Sequence, residues 1–280
     1  INIYAIYLGA FILILPLIAF FINAFSFRWF YPQIIPKELS LQAWVRLKLI
    51  PKPGQRTFES FLDLWASNPT VIKALINSLT IGFIVTVVSI IIALPAARVL
   101  GLLNFRFKKL IIFIMVSPTI LPPIAFVLGL NINFISLGFS GSFFGVCLVH
   151  LVPIMPYVVL TMTGIFANYN PDFEHQARTL GANKTKTFFL ITLPAIAPGM
   201  VVAALFAFLV SWSQYLLTFL IGAGKIMTLP LLVFSTASSG NPALTAAISI
   251  IFIFPAILIL FFTSKFVSGE SGATSGFGKI

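Results

Sequence analysis

The chain has 280 residues, 59% hydrophobic and 8% charged, with a formal net charge of +11 and a mean hydropathy of +1.08. Soluble domains carry about 25% charged residues, so this composition argues against a water-soluble globular protein. The Lys and Arg residues lie between apolar runs rather than in one basic, aromatic-interleaved domain, which argues against nucleic acid as a partner and for a bilayer with anionic lipid on one face.

A spanning helix needs about 20 mostly apolar residues, and six stretches qualify, near 4–25, 72–97, 109–131, 143–167, 195–221 and 244–266. The expected fold is therefore all-α and polytopic. The first run is too long for a signal peptide and lacks its cleavage pattern; it begins at Ile1 without Met, and a basic segment ahead of it is expected. A loop over 26–71 follows, with Trp29, Tyr31, Trp44 and Trp65. These read as an aromatic belt with a short amphipathic helix on the membrane, or as a docking surface for an outside partner. The core over 72–266 holds five spans and a long loop at 168–194, and the Gly/Ser-rich tail 267–280 is expected to be flexible.

Orientation follows from Lys and Arg in short loops. Segment 98–109 carries Arg98, Arg106, Lys108 and Lys109 with no acid, and 168–194 carries Arg178, Lys184 and Lys186 against Asp172 and Glu174. The connection at 131–142 is uncharged and 222–243 has only Lys225. The first two loops, and both termini, are thereby expected in the cytoplasm. The 26–71 loop dissents, with Arg28, Lys37, Arg46, Lys48, Lys52 and Arg56 against Glu38, Glu59 and Asp63, but long loops translocate with less regard for charge.

The segment 170–194, NPDFEHQARTLGANKTKTFFLITLP, is built to be ordered. Asn170 suits an N-cap, Pro171 the first helical position, and Asp172 and Glu174 the positive end of a helix. The predicted helix covers about 171–180 and ends at Gly181, which tolerates positive φ. An amphipathic turn runs from Lys184 to Leu190, and Pro194 and Pro198 mark entry into the fifth span. Phe173, Ala177 and Leu180 fall on one face, suited either to a membrane surface with a snorkelling basic rim or to a protein groove.

This segment resembles the EAA loop of ABC-importer permeases, in which E-A-A is followed by three residues, Gly, nine residues and I-x-L-P. Here Gly181 is followed by nine residues and then Ile191, Thr192, Leu193 and Pro194. The E-A-A positions hold His175, Gln176 and Ala177, with Glu174 one place early, so either Glu174 or His175 stands for the motif's glutamate. Asn77-Ser78-Leu79 and Leu94-Pro95-Ala96-Ala97 resemble the type I permease core. Leu180-Gly181-Ala182, Ser211-Trp212-Ser213-Gln214-Tyr215 and Thr228-Leu229-Pro230-Leu231 are similar to the polyamine, ferric-iron, thiamine and phosphonate branch.

The resemblance implies a permease subunit of the bacterial inner membrane that forms half of a pathway for a small polar solute. Its implied partners are two ATPase subunits, a second permease and an external solute-binding protein; membrane lipid surrounds it. ATP and Mg belong to the ATPases, and no cofactor is implied in this chain. The ATPase-coupling residues are then Asp172, Phe173, Glu174, His175, Ala177, Arg178, Leu180, Gly181 and Ala182.

Polar groups inside spans are costly and are candidates for function. Asn77, Ser78, Trp212, Ser213 and Gln214 are the candidates for the pathway, against the alternative of hydrogen bonds between helices. His150 has no Asp or Glu near it and reads as packed or hydrogen-bonded rather than metal-binding. Cys147 reads as a small buried hydrophobe. Gly141-x-x-x-Gly145 reads as a weak helix-packing signal. Gly222-Ala223-Gly224-Lys225 lacks the spacing and the Ser or Thr of a phosphate loop. A secondary carrier would place acids at mid-membrane, and a lipid-modifying enzyme would cluster acids, His or Cys at one interface; neither pattern is present.

Overall fold

A computed structural model describes residues 3–27, 29, 33, 35–54, 58–67 and 69–267. The expectations on Arg28, Tyr31, Arg56 and the tail from 268 onward lie outside these residues, as does the side chain of Trp65. The elements are α1 (Ile3–Asn23), α2 (Gln42–Arg46), α3 (Phe58–Ala66), α4 (Thr70–Leu102), α5 (Lys108–Ile120), α6 (Pro123–Ser136) and α7 (Phe143–Ala167). They continue with α8 (Asp172–Thr179), α9 (Lys184–Thr187), a π-helical turn (Phe188–Thr192), α10 (Leu193–Ser213), α11 (Leu216–Gly222), α12 (Leu229–Ser238) and α13 (Pro242–Val267). The bridge Ser26–Leu39 is the one β pairing among the described residues.

Among the described residues, four helices are long and apolar enough to cross a membrane: Thr70–Leu102, Phe143–Ala167, the run Lys184–Ser213 and Pro242–Ser264. The expected third span, 109–131, is not straight: α5 and α6 meet at 100°. The cause is local. Pro122 and Pro123 have no N–H, and a residue before proline avoids the helical region; Leu121 sits at ψ 145° and Pro122 at ψ 124°. The expected fifth span, 195–221, is also broken, between α10 and α11, where Gln214 has ψ 105°. α1 is 21 residues long, which suffices to span, though about half of its side chains lie outside the described residues. The single short helix expected between the first two spans is two, α2 and α3, and α12 is an element the apolar runs do not announce.

The described residues form two compact units. One is drawn from Ile1–Ser78 and Met227–Pro255. In it Trp44 Nε1 donates to the Ala24 carbonyl at 3.0 Å and its ring stacks on Phe25, with centroids 5.4 Å apart. Asn77 Nδ2 donates to the Met227 carbonyl at 2.9 Å, and the Leu229 N–H donates to Ser78 Oγ at 2.8 Å. The second unit is drawn from Leu79–Ile226 and Ala256–Ile280, and the main apolar core lies within it.

Within that second unit α4 buries Ile81, Val85, Ser89, Ala93 and Ala97, a four-residue ladder along one face. Phe83 and Ile91 point the other way and are exposed, as are Ile257 and Phe261 on α13. Large apolar stripes facing outward suit hydrocarbon. Lipid offers no hydrophobic drive for helix association, so close backbone approach must do the work. At Gly101 a Cβ would lie 2.5 Å from Phe166 Cβ and 2.9 Å from the Thr163 carbonyl oxygen, which lets α4 close on α7. At Gly199 a Cβ would lie 2.5 Å from Ile165 Cδ1, which lets α10 do the same. Gly141 and Gly145 do not mediate such a crossing: Gly141 has φ +71° in the turn before α7, and Gly145 caps on Ser142 Oγ at 2.9 Å in its first turn.

Candidate functional site

The loop 168–192 folds as its residues dictate, with one change of register. Asn170 Oδ1 accepts from the Asp172 N–H at 2.9 Å, and the helix starts at Asp172, so Pro171 precedes it rather than opening it. Asp172 and Glu174 occupy the first turn and Arg178 the last, each favourable to the helix dipole. Gly181 terminates α8 at φ +86°, with its N–H donating to the Arg178 carbonyl at 3.0 Å. Asn183 Oδ1 then caps α9 by accepting from the Lys186 N–H at 2.8 Å. The chain widens into a π turn before Leu193-Pro194, where the missing proline N–H cannot close an α-helical bond to Leu190.

Glu174 points inward and is 5% exposed. Arg98, on the last turn but one of α4, donates to its Oε2 at 2.6 Å. Thr192, on the π turn, donates to its Oε1 at 2.8 Å, and Arg178 stands 3.9 Å from Oε2. Burial by itself would raise the carboxyl's pKa. The Arg98 hydrogen bond, the Thr192 hydroxyl and the two guanidinium charges outweigh it and hold the group below its ordinary value of 4.5. One carboxylate thus joins α4, α8 and the head of α10. His175 is exposed, as are Asp172, Arg178 and Gly181, while Ala177 and Ala182 are half-buried. The outward face carries Phe173, 48% exposed, and Leu180, 89% exposed.

The two helix breaks of the second unit, at Leu121-Pro122 and Gln214, border one cavity of about 220 Å³. Thr119, Leu121, Pro123, Tyr157, Val210 and Gln214 are among the residues lining it. Discontinuous helices facing a cavity are the usual form of a solute site in a transporter. Of the expected pathway residues, Gln214 lines this cavity. Ser213 is exposed beside it and donates to the Val210 carbonyl at 3.1 Å. Trp212 is 3% exposed and stacks on Phe208, with centroids 5.4 Å apart, so it packs in the core. Asn77 and Ser78 belong to the other unit, where they bind the Met227 carbonyl just before α12 and the N–H of Leu229, its first residue.

Sequence reasoning missed Arg98, Thr192, Tyr157 and the bridging place of His150. Arg98 and Glu174 are 76 residues apart, and nothing local announces the pair. The prolines at 122 and 123 are a signal for one break that a count of apolar residues passes over. Among the described residues no group of three or more His, Cys, Asp or Glu could hold a metal ion.

The model of the family described as "binding-protein-dependent transport system inner membrane component" matches residues 6–268. The trehalose transport system permease protein SugB of Mycobacterium tuberculosis is 30% identical over 82% of this chain and 85% of its own. The spermidine/putrescine transport system permease protein PotC of Haemophilus influenzae is 26% identical over 69% of this chain and 76% of its own. A solved bacterial ABC transporter involved in the import of the acidic polysaccharide alginate superposes with a TM-score of 0.68. The match covers 94% of both chains at 18% identity, a likeness of fold. The chain belongs to this family of inner membrane components: it is a multi-pass permease subunit of an ABC importer, with the type I permease fold, and a transport protein rather than an enzyme.

Proposed function

We propose that α8 is the coupling helix of this permease, and that its Phe173–Ala177–Leu180 face seats in a groove of a cytoplasmic ATPase subunit. The observation that carries this reading is the pairing of an outward apolar face with an inward ionic anchor. Leu180 is 89% exposed while Glu174, on the same short helix, is held by Arg98 and Thr192. A helix that transmits a push must be fixed at its back and free at its front. In this arrangement Glu174 stands for the motif's glutamate as an internal anchor, and His175 with Asp172 and Arg178 faces the partner.

Two ATPases binding ATP and Mg drive two permeases, this chain and a copy or paralogue, and an external binding protein delivers the solute. The loops 98–109 and 168–194 and both termini lie in the cytoplasm, supported by the Lys and Arg of those loops. The cavity at Gln214 forms part of the pathway. Its lining carries amide, hydroxyl and phenol groups and no charge. That chemistry favours a small uncharged polar solute over the cationic members of the branch the motifs resemble, and the trehalose permease among the relatives supports it.

Co-purification of the full chain with its ATPase tests the coupling helix. Phe173→Asp and Leu180→Asp are expected to insert normally and lose the ATPase, while His150→Gln, remote from α8, keeps it. Equal retention by all the variants would sink the assignment.

A further inference from the structure

The break between α10 and α11 has no proline or glycine to cause it: Ser211-Trp212-Ser213-Gln214-Tyr215 carries neither. Something in the packing must oppose the helix that these residues would otherwise continue. His150, 1% exposed on α7, faces it from the side. Its Nδ1 lies 3.0 Å from Ser211 Oγ, in the last turn of α10, and its Nε2 lies 3.0 Å from Thr218 Oγ1, on α11. Thr218 Oγ1 in turn reaches the Gln214 carbonyl at 3.1 Å.

The proton count fixes the roles. A threonine hydroxyl has one proton, and that of Thr218 goes to the Gln214 carbonyl, which the break has deprived of its helical partner. Thr218 Oγ1 therefore accepts from His150, which places the ring proton on Nε2. Nδ1 is then an acceptor, and Ser211 donates to it. These assignments come from the hydrogen-bond network. One neutral imidazole thereby satisfies the Ser211 and Thr218 hydroxyls on either side of the break, in a setting where an unsatisfied polar group is costly.

We infer that His150 is a positioning residue that holds the α10–α11 break in place and thereby presents Gln214 to the cavity. The inference rests on the pathway reading above. Without the ring, Ser211 and Thr218 lose their bridge, and the segment regains local helix by closing Gln214 into the α10 ladder.

The test labels Gln214→Cys in the full-length chain in lipid nanodiscs, with Cys147→Ala to remove the native thiol, using 2-aminoethyl methanethiosulfonate as the probe. With His150 in place the thiol is expected to react readily. His150→Leu should slow labelling about tenfold, as the accessible population falls. His150→Gln offers one donor and one acceptor and should restore the rate to within about threefold. Thr218→Val removes one arm of the bridge and serves if His150→Leu does not assemble; it too should slow labelling. Equal rates in all variants, or a Gln variant as slow as the Leu variant, would overturn the role of His150. A thiol at 214 that is unreactive even with His150 present would instead overturn the pathway reading on which this one stands.

Discussion

The Arg98 guanidinium meets the Glu174 carboxylate at 2.6 Å, with the Glu side chain 6% exposed and the Arg side chain 33% exposed. The pair ties the end of the second spanning helix to the helix that faces the ATPase in the proposed account. A carboxylate so buried stays ionised because Thr192 and Arg178 complete its shell. Removing one partner differs from removing both, since a lone buried charge is the expensive state.

Arg98→Ala leaves Glu174 with Thr192 and the more distant Arg178, 3.9 Å away, and is expected to cost about 2 kcal/mol, below the range for fully buried pairs because Arg98 is partly solvated and Arg178 remains. The temperature of thermal inactivation in detergent should fall accordingly. The double variant Arg98→Met with Glu174→Leu should recover most of that stability while still failing to couple ATP hydrolysis to transport. Recovery of coupling along with stability would show that the pair is only structural.

The pH dependence follows from the direction of the shift. The Glu174 carboxyl titrates below its ordinary value of 4.5 in the folded chain, so its contribution is fully present above that value and is lost as pH falls through the folded pKa. Pepsin cleavage between residues 172 and 182 should therefore be slow near the upper edge of the enzyme's working range and rise as the pH drops below 4.5. In Glu174→Gln the same cleavage should show no such step. A step that persists in the Gln variant would assign it to another group.

Gly181 has φ +86° and open space where a Cβ would stand. Substitution there is limited by backbone strain alone, about 1–2 kcal/mol for a branched residue. Gly181→Asn, which tolerates the left-handed region, should keep most ATPase retention, and Gly181→Val should lose it. Equal loss would mean that the ATPase surface needs the bare backbone itself.

Much of this is legible in the residues, and the reasons differ by element. Asn170, Gly181 and Pro194 act locally, and the loop they delimit falls within a residue or two of its expected bounds. The outward set of Phe173, Ala177 and Leu180 follows from helical spacing. The anchor does not, because the partner of Glu174 lies on another span and only folding brings it near. The bend at 122–123 is written in two prolines but hidden by the unbroken apolar run, and the break at Gln214 has His150 beside it, which one-dimensional spacing cannot place there.

The helix crossings give a further prediction. A Cβ at Gly101 meets Phe166 Cβ at 2.5 Å and backbone at 2.9 Å, which cannot yield without moving α4 or α7. At Gly199 the same distance is to Ile165 Cδ1, the far end of a flexible side chain. Gly101→Ala should therefore cost about 1–3 kcal/mol, the usual range for overpacking, and resist repair. Gly199→Ala should cost less and be rescued by Ile165→Ala, which removes both Cδ1 and the Cγ1 that lies 2.6 Å from the added Cβ. The yield of monodisperse protein in detergent reports both, and the reverse order would contradict the close approach of α4 to α7 at Gly101.

The central claim is that the exposed face of α8 is covered by the ATPase, and the protection of one thiol measures that directly. In a Cys147→Ala background, Leu180→Cys is labelled with a water-soluble maleimide, in the permease alone and in the assembled transporter. The account predicts rapid labelling alone and strong protection on assembly, with Phe107→Cys, an exposed position off the α8 face, labelled equally in both. Labelling of position 180 that is unchanged by the ATPase would contradict it.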